Sequence, residues 1–588
     1  MMDPVSAAGV ALSVTSLSFQ VFAGCVSGFV FLSTAHSIGK DASFLRTMLK
    51  VEEYRFVQWA DAIGLTSPDP KTTSRINLAL AEELMVHLQD RFDQKKLKER
   101  YKLELIPSPS AKQIGEEAAE TRESQDILAR AVGDEKRGEI LARAKLIQNK
   151  NNLPKRLWWA AVDKSRLQDL IKDVGRIIDA LWALLEPQRQ ADLSQTIERA
   201  LSVVIKTSKD LGELKGLQIS LSDYTEVLRA QASLSTAAGL KIVREQLPDD
   251  SGVRPTTTGD PAALFPMHAQ VRPLEPLNST LLKQKTGTSG SNGTYLADYA
   301  GRLVLVESKK VDPRMKAKLR IRAENLAILL SQPKQPGFST LKCIGFLEDK
   351  DNFAFVYEYP VDPYSLNEGA QQSLQDFLRD SKARPPSVTA RIKLALEICR
   401  TVLTVHTAGW LHKNIRSENV LFFPGPNTSI PSGVLGSPFF TGFTFSRANS
   451  PVEISDQASE DPQLDIYRHP HALGEPSTSY AMYMDLYSLG LVLIEISEWR
   501  PLKHIIKKLV DVTKRGVEIP LSELSGIRNW LIENQISNGH VNFRMGEIYG
   551  KGLSQLLSDR APVGQDQRDD EELLAFQQFV RELSKCHV

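Results

Sequence analysis

The feature that most constrains the fold is a change of pattern across a Pro-, Gly- and Thr-rich stretch, LPDDSGVRPTTTGDPAALFPMHAQVRPLEPLNS at 247–279. Before it, apolar residues recur with helical spacing and no strand alternation interrupts them. After it, short alternating segments come first and helical segments follow. Such a stretch is typical of a linker. We therefore expect a multidomain chain, with an N-terminal all-α helical bundle over 1–245, a linker over 246–279 and a C-terminal α+β domain over 280–588.

The N-terminal half contains several helical stripes. One comprises Leu45, Leu49, Phe56, Trp59 and Ile63. A second repeats every four residues and predicts another buried face, at Ile76, Leu80, Leu84, Leu88 and Phe92. Further helices are expected over Arg156–Leu185, Asp192–Lys206 and Tyr224–Ala238. These patterns predict a bundle.

The first segment carries no Asp, Glu, Lys or Arg between Pro4 and Gly39. It is long enough to span a bilayer, but its many Ser, Gly and Ala residues make it only moderately apolar. A secretory signal usually begins with basic residues, and here the only early charge is Asp3. Three interpretations stand: a buried core helix, a conditional membrane helix, or, less favoured, a permanent span.

The C-terminal half begins with three strand-like segments, Arg302–Lys310, Lys342–Glu348 and Phe353–Tyr359. Helices are expected from Ser373 onward, at Arg391–Thr407, Met482–Ser497, Asn542–Leu557 and Glu571–Leu583.

Charge and cysteine content exclude some classes of protein. The net charge of +1 argues against one large nucleic-acid surface, so no nucleic-acid partner is expected. The four cysteines, Cys25, Cys343, Cys399 and Cys586, are scattered without metal-ligand spacing. Such thiols suit a reducing cytosol, and no metal site is predicted.

Several motifs of the C-terminal half resemble those of protein kinases. HTAGWLHKNIRSENVLFF (406–423) is similar to the catalytic loop H-R-D-L-x-x-x-N, with His412, Asn414 and Asn419 at the matching positions. TGFTFSR (441–447) stands where D-F-G is expected, YRHP (467–470) resembles the end of an activation segment, and DLYSLGLVLIEI (485–496) resembles the anchoring helix of the large lobe. The resemblance covers about 310 residues and implies a bilobal kinase-like fold.

The residues that would carry phosphoryl transfer are changed. The resemblance places Asn414 at the catalytic base and Gly442 at the magnesium-binding aspartate, and Arg416 replaces the catalytic-loop lysine. An amide is a very poor base, and glycine has no side chain to hold a metal. The site is therefore predicted to be degenerate at His412, Asn414, Arg416, Asn419 and Gly442, with no catalytic set intact. Asp485 is expected to cap and brace the catalytic loop.

The nucleotide site stays open between two interpretations. Lys309 or Lys310 stands near the position of the strand-3 lysine, and Glu324 near its helical partner. Through Lys309 and Glu324 the domain would bind ATP without turning it over; alternatively the lysine is a solvated edge-strand residue. KTGTSGSNGTY (285–295) lacks G-x-G-x-x-G, so it is either a phosphate-binding loop or the end of the linker.

The N-terminal half resembles the HeLo domain, the prion-inhibition and propagation module of fungal incompatibility and cell-death proteins. Three segments carry the resemblance: DPVSAAGVALSVTSLSFQVFAGCVSGFVFL at the start, GKDASFLRTMLKVEEYRFVQWADAIGL (39–65) and PKRLWWAAVDKSRLQDLIKDVGRIIDALWALL (154–185). The resemblance implies a helical bundle whose N-terminal segment, here residues 5–32, leaves the bundle on activation and inserts into membranes. It further implies protein partners, either an upstream receptor or a second copy.

Anionic lipids are a second expected partner. Two basic clusters would assist residues 1–32 at an anionic leaflet, or else are ordinary solvated faces: Lys95, Lys96, Lys98, Arg100 and Lys102, and Lys145, Lys150, Lys155 and Arg156. Trp158 and Trp159 suit either a membrane interface or the helical core. The expected location is cytoplasmic with conditional recruitment to the plasma membrane.

Three functions are consistent with these features. The favoured one is a signalling protein in which a kinase-like sensor or scaffold controls a membrane effector. The alternatives are an atypical active protein kinase targeted by its helical domain, and a scaffold without chemistry. Asn414 and Gly442 discriminate between the first two and favour no catalysis.

Overall fold

The structure is a computed structural model of the whole chain. It describes residues 4–33, 43–66, 76–103, 105–107, 139–140, 157–159, 164–222, 229–248, 274, 276–285, 293–311, 316–332, 338–349, 352–360, 371–380, 384–423, 436–448, 466–473, 479–506, 521–558 and 565–586. These residues divide into two compact units, one running through Ile242 and the other beginning at Val243.

The N-terminal unit is built from helices. Its helices are α1 (Pro4–Ser33), α2 (Ser43–Ala62), α3 (Leu78–Arg91), α4 (Gln94–Tyr101), α5 (Lys164–Trp182), α6 (Pro187–Thr207), α7 (Leu211–Ser222) and α8 (Arg229–Gln246). Two short strands, β1 (Leu105–Pro107) and β2 (Leu157–Trp159), pair with each other in antiparallel orientation. The expectation that no strand interrupts this half is therefore wrong at β2, where the helical segment predicted from Arg156 begins only at Lys164.

Helix α2 forms the centre of the bundle. The predicted stripe from Leu45 to Ile63 is confirmed, because its members are buried, with Phe56 and Trp59 fully so. Arg55 links this helix to α5: one guanidinium nitrogen donates to Glu52 at 2.9 Å and another to Asp179 at 2.5 Å. The guanidinium also lies 5.4 Å from the centre of the Trp182 ring. An arginine buried in this way is stabilised by charge pairing and by contact with the ring face.

Helix α1 packs against α3 through two glycines. A β carbon at Gly24 would lie 2.3 Å from the amide nitrogen of Gln89, and one at Gly28 would lie 2.3 Å from the Phe92 ring. The side chains described in α1 that face the core include Phe22 and Phe29, both fully buried. From Ser18 onward, the interpretation of the first segment as a buried core helix therefore holds for this conformation.

The predicted stripe on α3 is wrong in its details. Leu80 is exposed, and the buried residues of this helix are Ala81, Met85 and Leu88. A strict four-residue repeat advances about 40° per step around a helix of 3.6 residues per turn, so its two ends cannot share one narrow face. Leu88 and Phe92 keep their predicted burial.

The C-terminal unit starts with an antiparallel sheet of five strands in the order β3-β4-β5-β7-β6. The strands are β3 (Leu282–Gln284), β4 (Thr294–Tyr299), β5 (Arg302–Lys310), β6 (Cys343–Asp349) and β7 (Asn352–Glu358). The three predicted strands are confirmed, that at 302–310 with its bounds unchanged. Helix α9 (Lys316–Ser331) packs against β6 and β7.

The remainder of this unit is mainly helical. Its helices are α10 (Leu374–Arg379), α11 (Val388–Thr407), α12 (Met482–Glu498), α13 (Leu502–Ile505), α14 (Leu521–Leu531), α15 (His540–Met545), α16 (Glu547–Leu556) and α17 (Gln565–Ser584), with a π-helical turn at Ile532–Ser537. Short strands lie between them: β8 (Gln372–Ser373), β9 (Trp410–Leu411), β10 (Val420–Phe422), β11 (Phe439–Phe440) and β12 (Arg447–Ala448). The single helix predicted at 542–557 is broken at Gly546, whose φ of 89° ends α15.

Candidate functional site

Asp485 anchors the backbone of the catalytic-loop segment. It lies in the first turn of α12 and is fully buried. Its carboxylate accepts hydrogen bonds from the backbone N–H groups of His412 at 2.7 Å and Lys413 at 2.8 Å, and from the Tyr480 hydroxyl at 2.9 Å. Burial alone would raise the pKa of Asp485, but the hydrogen bonds from the His406 ring and from the His412 backbone N–H lower it below its usual value. The prediction that Asp485 braces this loop is confirmed.

His412 is held in this loop by hydrogen bonds and by ring contacts. Its Nδ1 accepts the backbone N–H of Asn414 at 3.2 Å, so Nε2 carries the proton and donates to the Thr441 carbonyl at 3.1 Å. The ring packs between Phe440 and Phe443, with centroids 4.6 and 4.5 Å away. Burial lowers the pKa of His412 to about 4, so the ring is neutral at physiological pH.

Asn414 and Asn419 are joined to each other and to the 441–442 backbone. The side-chain nitrogen of Asn414 donates to the Gly442 carbonyl at 3.3 Å. That of Asn419 donates to the Asn414 carbonyl at 2.7 Å, and the Asn419 carbonyl accepts from Thr441. Both amides therefore act as hydrogen-bond donors that close the loop.

Gly442 occupies a tight left-handed position. Its φ is 87°, and a β carbon there would lie 2.2 Å from the Asn419 side-chain nitrogen and 3.1 Å from that of Asn414. A side chain at this position requires Asn419 to move. The Asn414–Asn419 pair and the bare glycine are thus parts of one packed arrangement.

Arg416 is buried and already has acidic neighbours. One of its nitrogens lies 3.3 Å from the Glu418 carboxylate. Burial lowers the pKa of Arg416, opposed chiefly by the nearby charge of Glu418 and further by that of Glu307. The Arg416 charge in the degenerate catalytic loop is therefore paired within the domain.

The structure does not bring the two predicted nucleotide-binding residues together. Glu324 of α9 accepts the backbone N–H of Leu274 at 3.1 Å, a residue of the predicted linker. Lys309 of β5 donates to the Thr444 carbonyl at 3.1 Å, and Lys310 is exposed. Nucleotide binding through Lys309 and Glu324 stays an untested prediction.

Sequence reasoning missed Glu307. This β5 residue is 4% exposed, and its Oε2 accepts from the Gly442 backbone N–H at 3.2 Å and from the Tyr357 hydroxyl at 3.3 Å. Burial raises its pKa, and hydrogen bonds from Gly442, Thr444 and Tyr357 oppose that rise. The signal was present in the sequence, since Val304–Glu307 reads V-L-V-E where a kinase strand reads V-A-I-K.

These residues do not fit a magnesium–nucleotide of the kinase type. Gly442 provides no carboxylate for the metal, and Asn414 provides no base. The Gly-rich segment at 285–295 connects two paired strands, β3 and β4, rather than ending the linker. Residues 286–292 of that segment lie outside the described part of the chain.

The membrane-facing candidates of the N-terminal unit are only partly described. In the first basic cluster, on and beside α4, Lys96 pairs with Asp90, Lys95 lies 3.9 Å from Glu99, and Arg100 lies 2.8 Å from Asp173. The second cluster and the side chains of Trp158 and Trp159 lie outside the described residues. None of the helices that the structure describes combines the length and the apolar character needed to cross a bilayer.

The N-terminal half of the chain matches a family model, and several protein kinases are similar to this chain. Residues 9–217 match the model of the HeLo family, described as prion-inhibition and propagation. Three similar proteins are a sporulation protein kinase, mde3, of Schizosaccharomyces pombe (25% identical; 48% of this chain, 49% of that protein), the serine/threonine-protein kinase mos of Patiria pectinifera (29%; 35% and 54%), and the serine/threonine-protein kinase shk2 of S. pombe (23%; 44% and 40%). The chain thus spans about half of these relatives or less.

The fold and the comparisons together define the class of protein. The chain has an N-terminal HeLo domain and a C-terminal protein kinase-like domain.

Proposed function

We propose that this chain is a signalling protein of the fungal incompatibility or cell-death type, in which a non-catalytic kinase-like domain controls a HeLo membrane effector. One observation carries the proposal: the positions that in a kinase hold the base and the metal are Asn414 and Gly442, joined in one hydrogen-bonded arrangement. A domain with this arrangement is suited to contact partners rather than to transfer phosphate.

Positions 414 and 442 provide neither a proton acceptor nor a metal-binding carboxylate. Phosphoryl transfer needs an acceptor for the substrate hydroxyl proton and a metal to offset charge on the phosphates. The Asn414 side chain offers its N–H to the Gly442 carbonyl, and an amide does not take up a proton near neutral pH. Losing one such group typically costs about 10²–10⁴-fold in rate, and here both are absent.

The second candidate function is an atypical active protein kinase. It is favoured by the names of the similar proteins, which are kinases, by the retained Asn419, and by Arg416, which keeps the positive charge of the lysine that it replaces. The chain covers about half of those proteins or less, so their activity is only a hypothesis for this one.

Transfer of radiolabelled phosphate from ATP, with magnesium or manganese, separates the two functions. The full chain should transfer no more label to itself or to a generic protein substrate than identically purified Asn419→Ala and Lys309→Ala variants. Those variants report contaminating kinases, because a contaminant is unaffected by the change. Robust transfer by the unaltered chain that both variants lose would establish the active-kinase alternative.

For the HeLo domain we propose cytoplasmic storage and conditional recruitment to the plasma membrane through release of α1. The support is that α1 carries no formal charge from Pro4 onward and that its contact with α3 rests on the compact pair Gly24 and Gly28. A helix without charges has little to desolvate when it moves from a protein groove to a lipid surface. An upstream receptor or a second copy of the chain would supply the signal.

Dye leakage from liposomes tests this second half of the proposal. The full chain should release dye from phosphatidylcholine–phosphatidylserine vesicles more than from phosphatidylcholine alone, and deletion of residues 1–32 should abolish release. Gly28→Val, which crowds Phe92, should increase release by loosening α1, whereas Gly175→Ala, whose β carbon meets only ordinary contacts, should not. Equal leakage from the deletion variant would exclude α1 as the inserting segment.

A further inference from the structure

Glu307 ties the sheet to the loop that replaces the magnesium loop. Its carboxylate accepts the Gly442 backbone N–H at 3.2 Å, and it also receives the backbone N–H and the hydroxyl of Thr444. The Tyr357 hydroxyl donates to it from the adjacent strand β7 at 3.3 Å. One buried acid thus satisfies the donors that the 442–444 backbone directs toward β5.

The position of Glu307 follows from the alternation of β5. Val304 and Val306 belong to an apolar cluster on one face of the sheet. Because side chains alternate along a strand, Glu307 and Lys309 lie on the opposite face. Both contact the 442–444 segment there, since Lys309 donates to the Thr444 carbonyl at 3.1 Å. In a kinase, the fourth residue of V-A-I-K is the lysine that pairs with the α- and β-phosphates. In V-L-V-E, that fourth residue is Glu307.

The Arg416 guanidinium near this face has acidic neighbours within the domain. Arg416 lies 3.3 Å from Glu418, and its charge also interacts with Glu307. A nucleoside triphosphate would bring several negative charges next to a buried carboxylate, and it would find the loop N–H groups already occupied. Both effects oppose the binding of phosphate.

We propose that the buried carboxyl group of Glu307 stands in for a nucleotide phosphate and closes this cleft to nucleoside triphosphates, with or without a divalent metal. The kinase-like domain then signals through protein contacts alone. This inference rests on the proposed non-catalytic function but makes a separate claim, because a domain without catalysis can still bind ATP.

Equilibrium dialysis of the full chain against radiolabelled ATP, with and without magnesium, tests the inference. The unaltered chain should show no saturable binding. Glu307→Gln keeps the shape and an oxygen acceptor but removes the charge, and Glu307→Ala also opens the space. Both should bind ATP at least about tenfold more tightly than the unaltered chain, a difference of about 1.4 kcal/mol.

The matched control is Glu358→Gln, because Glu358 lies on neighbouring strand β7, is half exposed and pairs with Lys342 at 2.9 Å. It should behave like the unaltered chain. If Glu307→Ala unfolds, the isosteric Gln variant decides the question alone. Saturable ATP binding by the unaltered chain, or folded Glu307 variants that bind no better than it, would overturn the inference. ATP binding without phosphate transfer would contradict this inference but not the proposed non-catalytic function. Phosphate transfer would contradict both.

Discussion

Asp485 is the residue on which the shape of the catalytic-loop segment most depends. It accepts hydrogen bonds from His406, His412, Lys413 and Tyr480, the first two of which lie in the buried interior. Asp485→Ala should destabilise the kinase-like domain by about 3–5 kcal/mol, because it leaves buried donors and a neighbouring histidine without their acceptor. Asp485→Asn, which keeps one acceptor oxygen, should cost less. Urea unfolding followed by circular dichroism measures both, and equal stability of the Ala variant and the unaltered chain would contradict this role.

Restoring the two missing acids should not restore an enzyme. Gly442→Asp forces a β carbon to within 2.2 Å of the Asn419 side chain, and Glu307 faces the restored carboxylate with a like charge. The double variant Asn414→Asp, Gly442→Asp should therefore transfer no more phosphate than the unaltered chain, and it should be less stable. Measurable transfer by this variant would show that only two side chains separate the domain from catalysis.

Glu213 in the N-terminal unit should make stability depend on pH. Burial raises the pKa of Glu213 to about 7 from 4.5; a hydrogen bond from Ser208 opposes the rise, and the charge of Asp210 adds to it. Between these values the folded state binds more protons than the unfolded state, so stability rises as the pH falls from 7 toward 5, by up to roughly 3 kcal/mol. Glu213→Gln should remove this part of the change. Urea midpoints at pH 5 and pH 8 for both proteins test it, and identical shifts would contradict the assignment.

At the scale of elements, Gly24 and Gly28 allow α1 to approach α3 closely, and the Phe29 ring meets Phe92 edge-on with ring centres 4.9 Å apart. Gly28→Val places side-chain atoms inside the Phe92 ring and should destabilise the HeLo domain by about 1–3 kcal/mol, as overpacking does. Hydrogen exchange read by mass spectrometry should show faster exchange in peptides of α1 and α3. Gly175→Ala in α5 serves as the control, because its β carbon would meet Glu52 no closer than 3.4 Å. Unchanged exchange in Gly28→Val would mean that this contact does not hold α1.

The sequence was informative about elements whose pattern is local. The alternation of Arg302–Lys310 placed β5 at its observed bounds, and the apolar face of α2 was correct from Leu45 to Ile63. Sequence patterns were not informative where an element depends on residues far away in the chain. Strands β1 and β2 pair residues about 50 positions apart, as Leu105 with Trp159. The sequence of either segment alone does not indicate that pairing. The break at Gly546 depends on a left-handed backbone that a helical pattern does not reveal.

The candidate site shows the same limit. His412, Asn414, Arg416, Asn419 and Gly442 were located by motif spacing, and the structure gathers them around one loop. Their roles were not predictable, because they depend on which donor meets which acceptor. Lys309 and Glu324 were chosen by charge and order along the chain, but each has another partner. Glu307 was overlooked because a buried acid in an apolar strand is rare and its partners Tyr357 and Gly442 lie 50 and 135 residues away along the chain.

At the scale of the whole molecule, one chain carries a HeLo domain and a kinase-like domain. The non-catalytic role proposed for the kinase-like domain depends on the interior contacts of Asn414, Gly442 and Glu307. The membrane role proposed for the HeLo domain depends on the packing of α1. In both domains the proposed activity is a change of contacts rather than a change of covalent bonds.

The intact mass of the purified full chain after prolonged incubation with ATP and manganese decides whether the kinase-like domain transfers phosphate. The mass should equal that of the sample without ATP, because neither a base nor a metal ligand stands at positions 414 and 442. A ladder of added phosphoryl groups that disappears in the Lys309→Ala variant would contradict the non-catalytic role.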